Sequence, residues 1–270
     1  MNATKKAFFT LFNTLFPCRC PLCGHYFEDA EAHERLCDAC LKALEPSMVH
    51  GERGNQIERL FWAKLPIQRA SSLLRYQPES TVADLLQKIK YENHPQLAVF
   101  MGRIMAKSLM KSDFFEGVDA ILPLPLTVER QKERGYNQSE RLANGISEVT
   151  GIPVWTDVVR RTFFAGSQTK LSHIERQQNV ENVFELVNEE KVRHKHVLLV
   201  DDVITTSSSL LALGRTLCPD PHAANSPFPP IKISIYTLSM AGAHRRPLLT
   251  NSDWQKERKK ITEIAVKLSN

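Results

Sequence analysis

No apolar run in this 270-residue chain approaches the length of a membrane span, which argues against an integral membrane helix. The stretch 5–16 has the basic and apolar parts of a secretory leader but lacks a small-residue cleavage site. Its Phe8, Leu11, Phe12 and Leu15 recur at helical spacing, so 1–16 is expected to be a short amphipathic helix on a cytoplasmic protein. Internal repeats are absent, which removes solenoids and propellers. Excess positive charge is scarce in the body of the chain. Of the net +5, the segment 241–270 carries +4, from seven Lys/Arg against three acids. General basicity is therefore no ground for a nucleic-acid role in the first 240 residues; only the tail has the charge for it. Trp254, Ile261, Ile264 and Leu268 in that tail fall at helical spacing, as in a helix docked on the body with a solvated basic face.

With 42% hydrophobic residues, the chain can bury a real core, in one main domain plus an appendage. The appendage is marked by cysteine. Six cysteines occur, and Cys20, Cys23, Cys37 and Cys40 form two pairs with two-residue gaps, 13 residues apart. Each gap lets both thiolates of a pair reach one ion, and two pairs close a tetrahedral shell. A closed shell leaves no open position, so the Zn²⁺ expected there is structural. Cys18 lies close enough to compete, and His25 and His33 are further candidates. Cys218 is distant and reads as a small buried apolar residue.

The rest alternates strand and helix patterns, which predicts an α/β fold built on a mostly parallel open sheet flanked by helices. A strand over 70–76 precedes helices over 81–91 and 96–110. A strand at 119–126 stops at Pro123 and Pro125, and one charged helix is expected over 127–149. The most informative stretch is 197–210. Four apolar residues end in Asp201-Asp202, pass through Val203-Ile204-Thr205-Thr206-Ser207-Ser208-Ser209, and open into a helix near Leu210. A buried strand thus delivers two carboxylates to the carboxyl edge of a sheet, where they can accept hydrogen bonds from adjacent sugar hydroxyls. The turn after them offers backbone N–H groups, hydroxyls and a helix N-terminus to a phosphate. That is the layout of a phosphosugar site.

The stretch resembles the phosphoribosyl pyrophosphate loop of type I phosphoribosyltransferases, with one departure: Ser207 stands where the pattern has glycine, which supplies unusual backbone angles and room for the phosphate. Other segments fit the same site. Pro123-Leu124 ends a core strand, and Arg134-Gly135-Tyr136-Asn137-Gln138 forms a glycine turn near Arg130 and Lys132. Arg161, Gln168, Thr169, Arg176 and Asn179 belong to a basic loop between two strands. Together with Cys20-Pro21-Leu22-Cys23-Gly24, Cys37-Asp38-Ala39-Cys40 and Lys90-Tyr91, these motifs are similar to the ComF family, also called GntX or competence-protein F. The resemblance covers about residues 15–240 and lacks a second cysteine pair near residue 60, where Phe61, Trp62 and Leu65 stand.

The resemblance implies a type I phosphoribosyltransferase fold with a small N-terminal zinc module. The expected organisation is a helix at 1–16, zinc module at 17–45, linker at 46–65, phosphoribosyltransferase-like domain with its hood at 66–240, and basic tail at 241–270. Asp201 and Asp202 would hold the ribose with Mg²⁺, and Val203 and Thr205 to Ser209 would line the 5′-phosphate. Pro123, Leu124 and Arg134 would contact the ligand, and Arg161 and Arg176 would neutralise a pyrophosphate leaving group. The ligand implied is phosphoribosyl pyrophosphate or a nucleotide-like relative of it. The family further implies DNA uptake in natural transformation, beside a competence helicase that moves single-stranded DNA. Two alternatives remain beside it: a non-catalytic single-stranded-DNA adaptor, and an active transferase of nucleotide metabolism or salvage. Glutamine-dependent chemistry is not expected, because Met1 is followed by Asn2 with no N-terminal cysteine nucleophile.

Overall fold

The computed structural model describes residues 18–27, 35–47, 49–162, 183–219, 231–241 and 251–269. The expected N-terminal helix at 1–16 lies outside them, as do His33 and Arg176. Four parallel strands form the main sheet in the order β1 (Ile67–Arg75), β6 (Lys232–Met240), β5 (His196–Ile204), β2 (Ala120–Pro123). Val154 extends it by a parallel bridge to Ile121. A separate antiparallel pair joins β3 (Val159–Arg161) to β4 (Phe184–Leu186). This is the expected α/β architecture.

Side chains alternate between the two faces, as a pleated strand requires. Leu198, Val200, Tyr236 and Leu238 enter one apolar layer, together with α3 (Thr81–Tyr91), α4 (Pro95–Leu109), α6 (Gln138–Thr150) and α9 (Asn251–Ser269). The same layer includes α1 (Asp38–Ala43) and the buried cysteines around it. Val197, Leu199, Ile233 and Ile235 enter the opposite layer with α2 (Gln56–Phe61) and α8 (Ser208–Leu217). A strand buried on both sides needs no polar alternation, which is why β5 reads as a continuous apolar run up to Asp201. The remaining helices are α5 (Val128–Arg134) and the short α7 (Glu189–Val192).

Two local readings change. The stretch 46–65 is not irregular throughout: it contains α2, capped by Asn55, whose side chain accepts from the Ile57 and Glu58 N–H groups. Its Ile57 and Phe61 are fully buried. The helix expected over 127–149 is two helices. Gly135, at φ 77°, ends α5 in the left-handed region, and Asn137 caps α6 by accepting from Ser139 N–H. Periodicity alone cannot register a break so short.

The hood helices fix the height of the site. The side chain of Ser80 caps α3 by accepting from Ala83 N–H. α4 and α6 touch backbone to backbone, because a Cβ on Gly145 would lie 2.1 Å from Val99 O and one on Gly102 2.2 Å from Leu142 O. Glycine at both positions brings α6 close enough to rest its first turn on β5.

Candidate functional site

The acid pair lies within β5, two residues from its carboxyl end, on a central strand between β6 and β2. Both carboxylates are buried, at 8% and 9% exposure, which means that nothing but specific partners offsets the loss of water. Asp201 Oδ1 accepts from Ser139 Oγ at 3.0 Å and from the Asp202 N–H at 2.9 Å. Burial, then the neighbouring Asp202 charge, pushes the Asp201 carboxyl up to about 8. Asp202 Oδ2 faces Lys90 Nζ at 2.9 Å. The two acids therefore divide their roles: Asp201 favours keeping its proton, while Asp202 is paired with a cation from the hood.

Neither partner is coded near the acids. Lys90 comes from the last turn of α3 and Ser139 from the first turn of α6. Ser139 is placed by the turn before it. Asn137 Nδ2 donates to Leu124 O at 3.0 Å, fastening α6 to the segment that leaves β2, and the Tyr136 hydroxyl donates to Ile89 O in α3. Leu124 N–H in turn donates to Val200 O at 2.9 Å, one residue before the acid pair. Pro123 and Leu124 are buried beside β5, with Pro123 in register with Val200. Arg134 donates to Gln138 Oε1 at 3.1 Å and stacks on Tyr91, 5.2 Å from the ring centre. Sequence reasoning missed Ser139 as a partner of the acids; its one signal was its place directly after the Arg-Gly-Tyr-Asn-Gln turn.

Beyond β5, Thr205 and Thr206 are exposed and Ser207 adopts φ 62°, ψ −3°. The backbone thus takes the left-handed conformation for which a glycine was expected, with a serine carrying it. Its hydroxyl makes no capping bond to α8. Thr206 Oγ1 and Ser208 Oγ lie 3.0 Å apart, and Ser208 and Ser209 open α8. Val203 is half-buried, in register with Ser239, whose hydroxyl donates to Asp202 O at 3.2 Å. Arg161 is half-buried at the end of β3, over the Phe184 ring at 5.4 Å. Burial and the nearby Arg130 charge lower its pKa, opposed by the charge of Asp201. Besides Lys90, a second basic residue thus stands within electrostatic reach of the acids.

A cleft of about 280 Å³ opens at the other, amino-terminal edge of the sheet, lined by Arg53, Arg69, Asp113, His196 and Lys232 among others. Its charges are largely matched internally, Asp113 pairing with both Arg53 and Arg69. It is remote from the acid pair.

The Sγ atoms of Cys20, Cys23, Cys37 and Cys40 lie within 4.8 Å of one another, and Cys23 and Cys37 approach to 3.5 Å. Four thiolates around one ion at about 2.3 Å would sit roughly 3.8 Å apart, so the set fits one tetrahedral metal. Cys18 is buried next to the module but outside the cluster. Cys20 N–H donates to His25 O, and Gly24 N–H to Cys20 O, closing the first knuckle. α1 carries Cys40 and starts directly after Cys37. The cluster can hold a metal ion consistent with structural zinc.

Competence protein F of Haemophilus influenzae is 30% identical over 201 residues, spanning 73% of this chain and 78% of that protein. The chain belongs to the competence protein F family. The DNA utilization protein YhgH of Salmonella typhi is 26% identical over 211 residues, covering 74% of this chain and 88% of that protein. No family model matches. Among solved structures, glutamine phosphoribosylpyrophosphate amidotransferase from B. subtilis aligns at TM-score 0.36 and 17% identity, over 67% of this chain and 41% of that enzyme. Adenine phosphoribosyltransferase from Leishmania tarentolae aligns at TM-score 0.29 and 11% identity, over 69% of this chain and 89% of that enzyme. Those overlaps are too loose to bear on function. Family membership rests on the sequence relatives, and the fold on the strand order and the acid-pair turn. Among the described residues, no helix is long and apolar enough to cross a membrane.

Proposed function

We propose that this competence protein F relative binds a 5′-phosphorylated ribose, of the phosphoribosyl pyrophosphate type, at the carboxyl edge of its sheet and acts in DNA uptake. The observation that carries the reading is the buried acid pair on a central parallel strand, followed at once by a left-handed turn and a helix N-terminus. Asp201 and Asp202 hold the two ribose hydroxyls, and the turn from Thr205 to Ser209 takes the phosphate on N–H and hydroxyl donors. Oxygen donors of this kind suit Mg²⁺, which bound beside sugar and pyrophosphate would spread their negative charge. Arg161, with Arg176, which lies outside the described residues, adds positive charge for a pyrophosphate. The names of the relatives, which refer to competence and DNA utilization, support the cellular role. The cysteine cluster carries zinc that shapes the N-terminal module.

Turnover is a separate matter. In an active transferase the bond from the anomeric carbon to pyrophosphate breaks as a bond to the acceptor nitrogen forms, and the acceptor N–H proton leaves with pyrophosphate or water. That step needs positioning and charge more than a protein nucleophile. A second reading, a non-catalytic adaptor for single-stranded DNA, is favoured by Ser207, whose side chain occupies a turn made for close phosphate approach, and by the exposed Lys256, Lys259, Lys260 and Lys267 of α9.

The test is calorimetric titration of phosphoribosyl pyrophosphate with Mg²⁺ into the wild type and the Asp201→Asn/Asp202→Asn variant. Binding by the wild type that the double variant loses is the expected result. Absence of binding by the folded wild type sinks the reading.

A further inference from the structure

A buried polar cluster joins the tail helix to the body of the domain, and neither the acid pair nor the cysteine module uses it. The His50 side chain, in the stretch before α2, is enclosed on almost every side. Its Nε2 lies 2.9 Å from the Tyr236 hydroxyl on β6 and 3.0 Å from Ser108 Oγ on α4. Both hydroxyls donate to one acceptor, Met105 O, at 3.0 and 2.6 Å. With their protons committed there, counting assigns the ring proton to Nε2, which donates to the hydroxyl lone pairs. A neutral ring therefore leaves Nδ1 bare. Nδ1 faces α9, where Glu257 Oε2 stands 3.8 Å away, beyond hydrogen-bond reach. Both atoms are buried, and neither has a hydrogen-bond partner among the described residues. Ser108, His50 and Glu257 line up as a hydrolytic triad would, but Ser108 is buried and its proton is held by Met105 O, so the cluster offers no nucleophile.

We propose that His50 is a proton-operated release for the tail: protonation of its ring loosens α9 from α1 and α4, the helices it lies against. A second ring proton goes on Nδ1, at the seam with α9. No acceptor stands within reach there, so the proton has to be met by water or by a shift of Glu257, and either moves the helix. The carboxylate facing the ring does little to hold the cation in place. Its side chain is 34% exposed, and it shares its charge with Lys260, 3.9 Å away. Lys260 also repels a charged ring. Among the described residues, Glu257 and Lys260 are the charges that act on His50; from β6 and α4 it meets Tyr236, which burial keeps a neutral phenol, and Ser108. Burial outweighs the attraction of Glu257 and holds the His50 pKa below that of an ordinary histidine. Glu257, drawn down by the facing ring, stays a carboxylate. Because the docked ring resists a proton that the undocked ring accepts, α9 is fully held above about pH 6.5 and gives way as pH falls below it. The release involves neither the acid pair nor the turn after it, and it stands whatever that site binds.

The test is amide hydrogen exchange of α9 in the full chain from pH 7.5 to 5.5, corrected for the intrinsic pH dependence of exchange. In the wild type, protection of α9 should fall by up to about tenfold between pH 6.5 and 5.5, the limit for one linked proton. His50→Gln, which takes up no proton, should keep that protection level over the same range. Glu257→Gln probes the seam from the other side. Its amide can donate to the bare Nδ1, so protection should rise at pH 7.5, and without the carboxylate it should lose more than the wild type by pH 5.5. Protection in the wild type that stays level or rises on acidification overturns the release. So does an equal fall in His50→Gln, or a Glu257→Gln chain that matches the wild type at every pH.

Discussion

Replacing Ser207 by glycine should make the protein more stable, although it removes a side chain and loosens the chain. Ser207 sits at φ 62°, where the Cβ of an L-residue crowds the following carbonyl. That crowding costs about 1–2 kcal/mol, and glycine escapes it. Against this, glycine in the unfolded chain has more freedom to lose, about 0.4–1 kcal/mol. The hydroxyl adds nothing to the balance, since it makes no capping bond to α8. The net gain is therefore about 0.5–1 kcal/mol, or a rise of roughly 1–4 °C in Tm for a chain of this size. Ser207→Ala separates the terms: it keeps the Cβ and deletes only the hydroxyl, so it should change stability by less than about 0.5 kcal/mol. Urea titration and thermal melting of the three proteins, in the absence of ligand, give the answer. A glycine variant less stable than the wild type, or an alanine variant weakened by more than about 1 kcal/mol, would refute the strain argument and assign the hydroxyl a bond.

The Asp201 carboxyl should leave a signature in the pH dependence of stability. Its folded pKa, about 8, lies above that of an unfolded carboxylate, so the folded state keeps a proton the unfolded state has lost. This contribution is complete below about pH 4 and drains away as pH rises toward 8; Asp201→Asn should gain on the wild type across that window, and a difference in urea midpoint independent of pH would count against the assignment. In the cysteine module, Cys37→Ser and Cys40→Ser should lower the zinc found per chain by elemental analysis and Cys18→Ser should not. Full zinc in either of the first two, or loss in the third, would redraw the ligand set.

What the sequence disclosed and what it withheld divide by distance along the chain. The cysteine cluster was legible because its chemistry lies in two short spacings, Cys20 to Cys23 and Cys37 to Cys40. The acid-pair strand was legible because one apolar run, two acids and a turn follow one another without interruption. The partners of those acids were not. Ser139 lies 62 residues from Asp201, and Lys90 reaches Asp202 from a different helix. No local pattern encodes a contact that depends on how closely two helices cross, and here the crossing depends on Gly102 and Gly145. The Arg-Gly-Tyr-Asn-Gln turn was legible as a feature of the site, but its working parts were hidden: the side chains of Tyr136 and Asn137 donate to the backbone carbonyls of Ile89 and Leu124, so that Ser139 points at the acid. Tertiary packing also decides the 46–65 stretch, where α2 is too short for periodicity to reveal and is held by Asn55 and the burial of Ile57 and Phe61.

The packing of α9 has a practical consequence. Its Ile261 and Ala265 share an apolar layer with Leu36, Leu41 and Leu44 of the cysteine module, and the helix lies against α1 and α4. A helix more than 200 residues along the chain from the cysteine module therefore seals it, so neither is complete without the other. Cutting the tail away to ask what its lysines do would unroof the cysteine cluster at the same time. Neutralising Lys256, Lys259, Lys260 and Lys267 in place leaves that roof on and puts the question to charge alone.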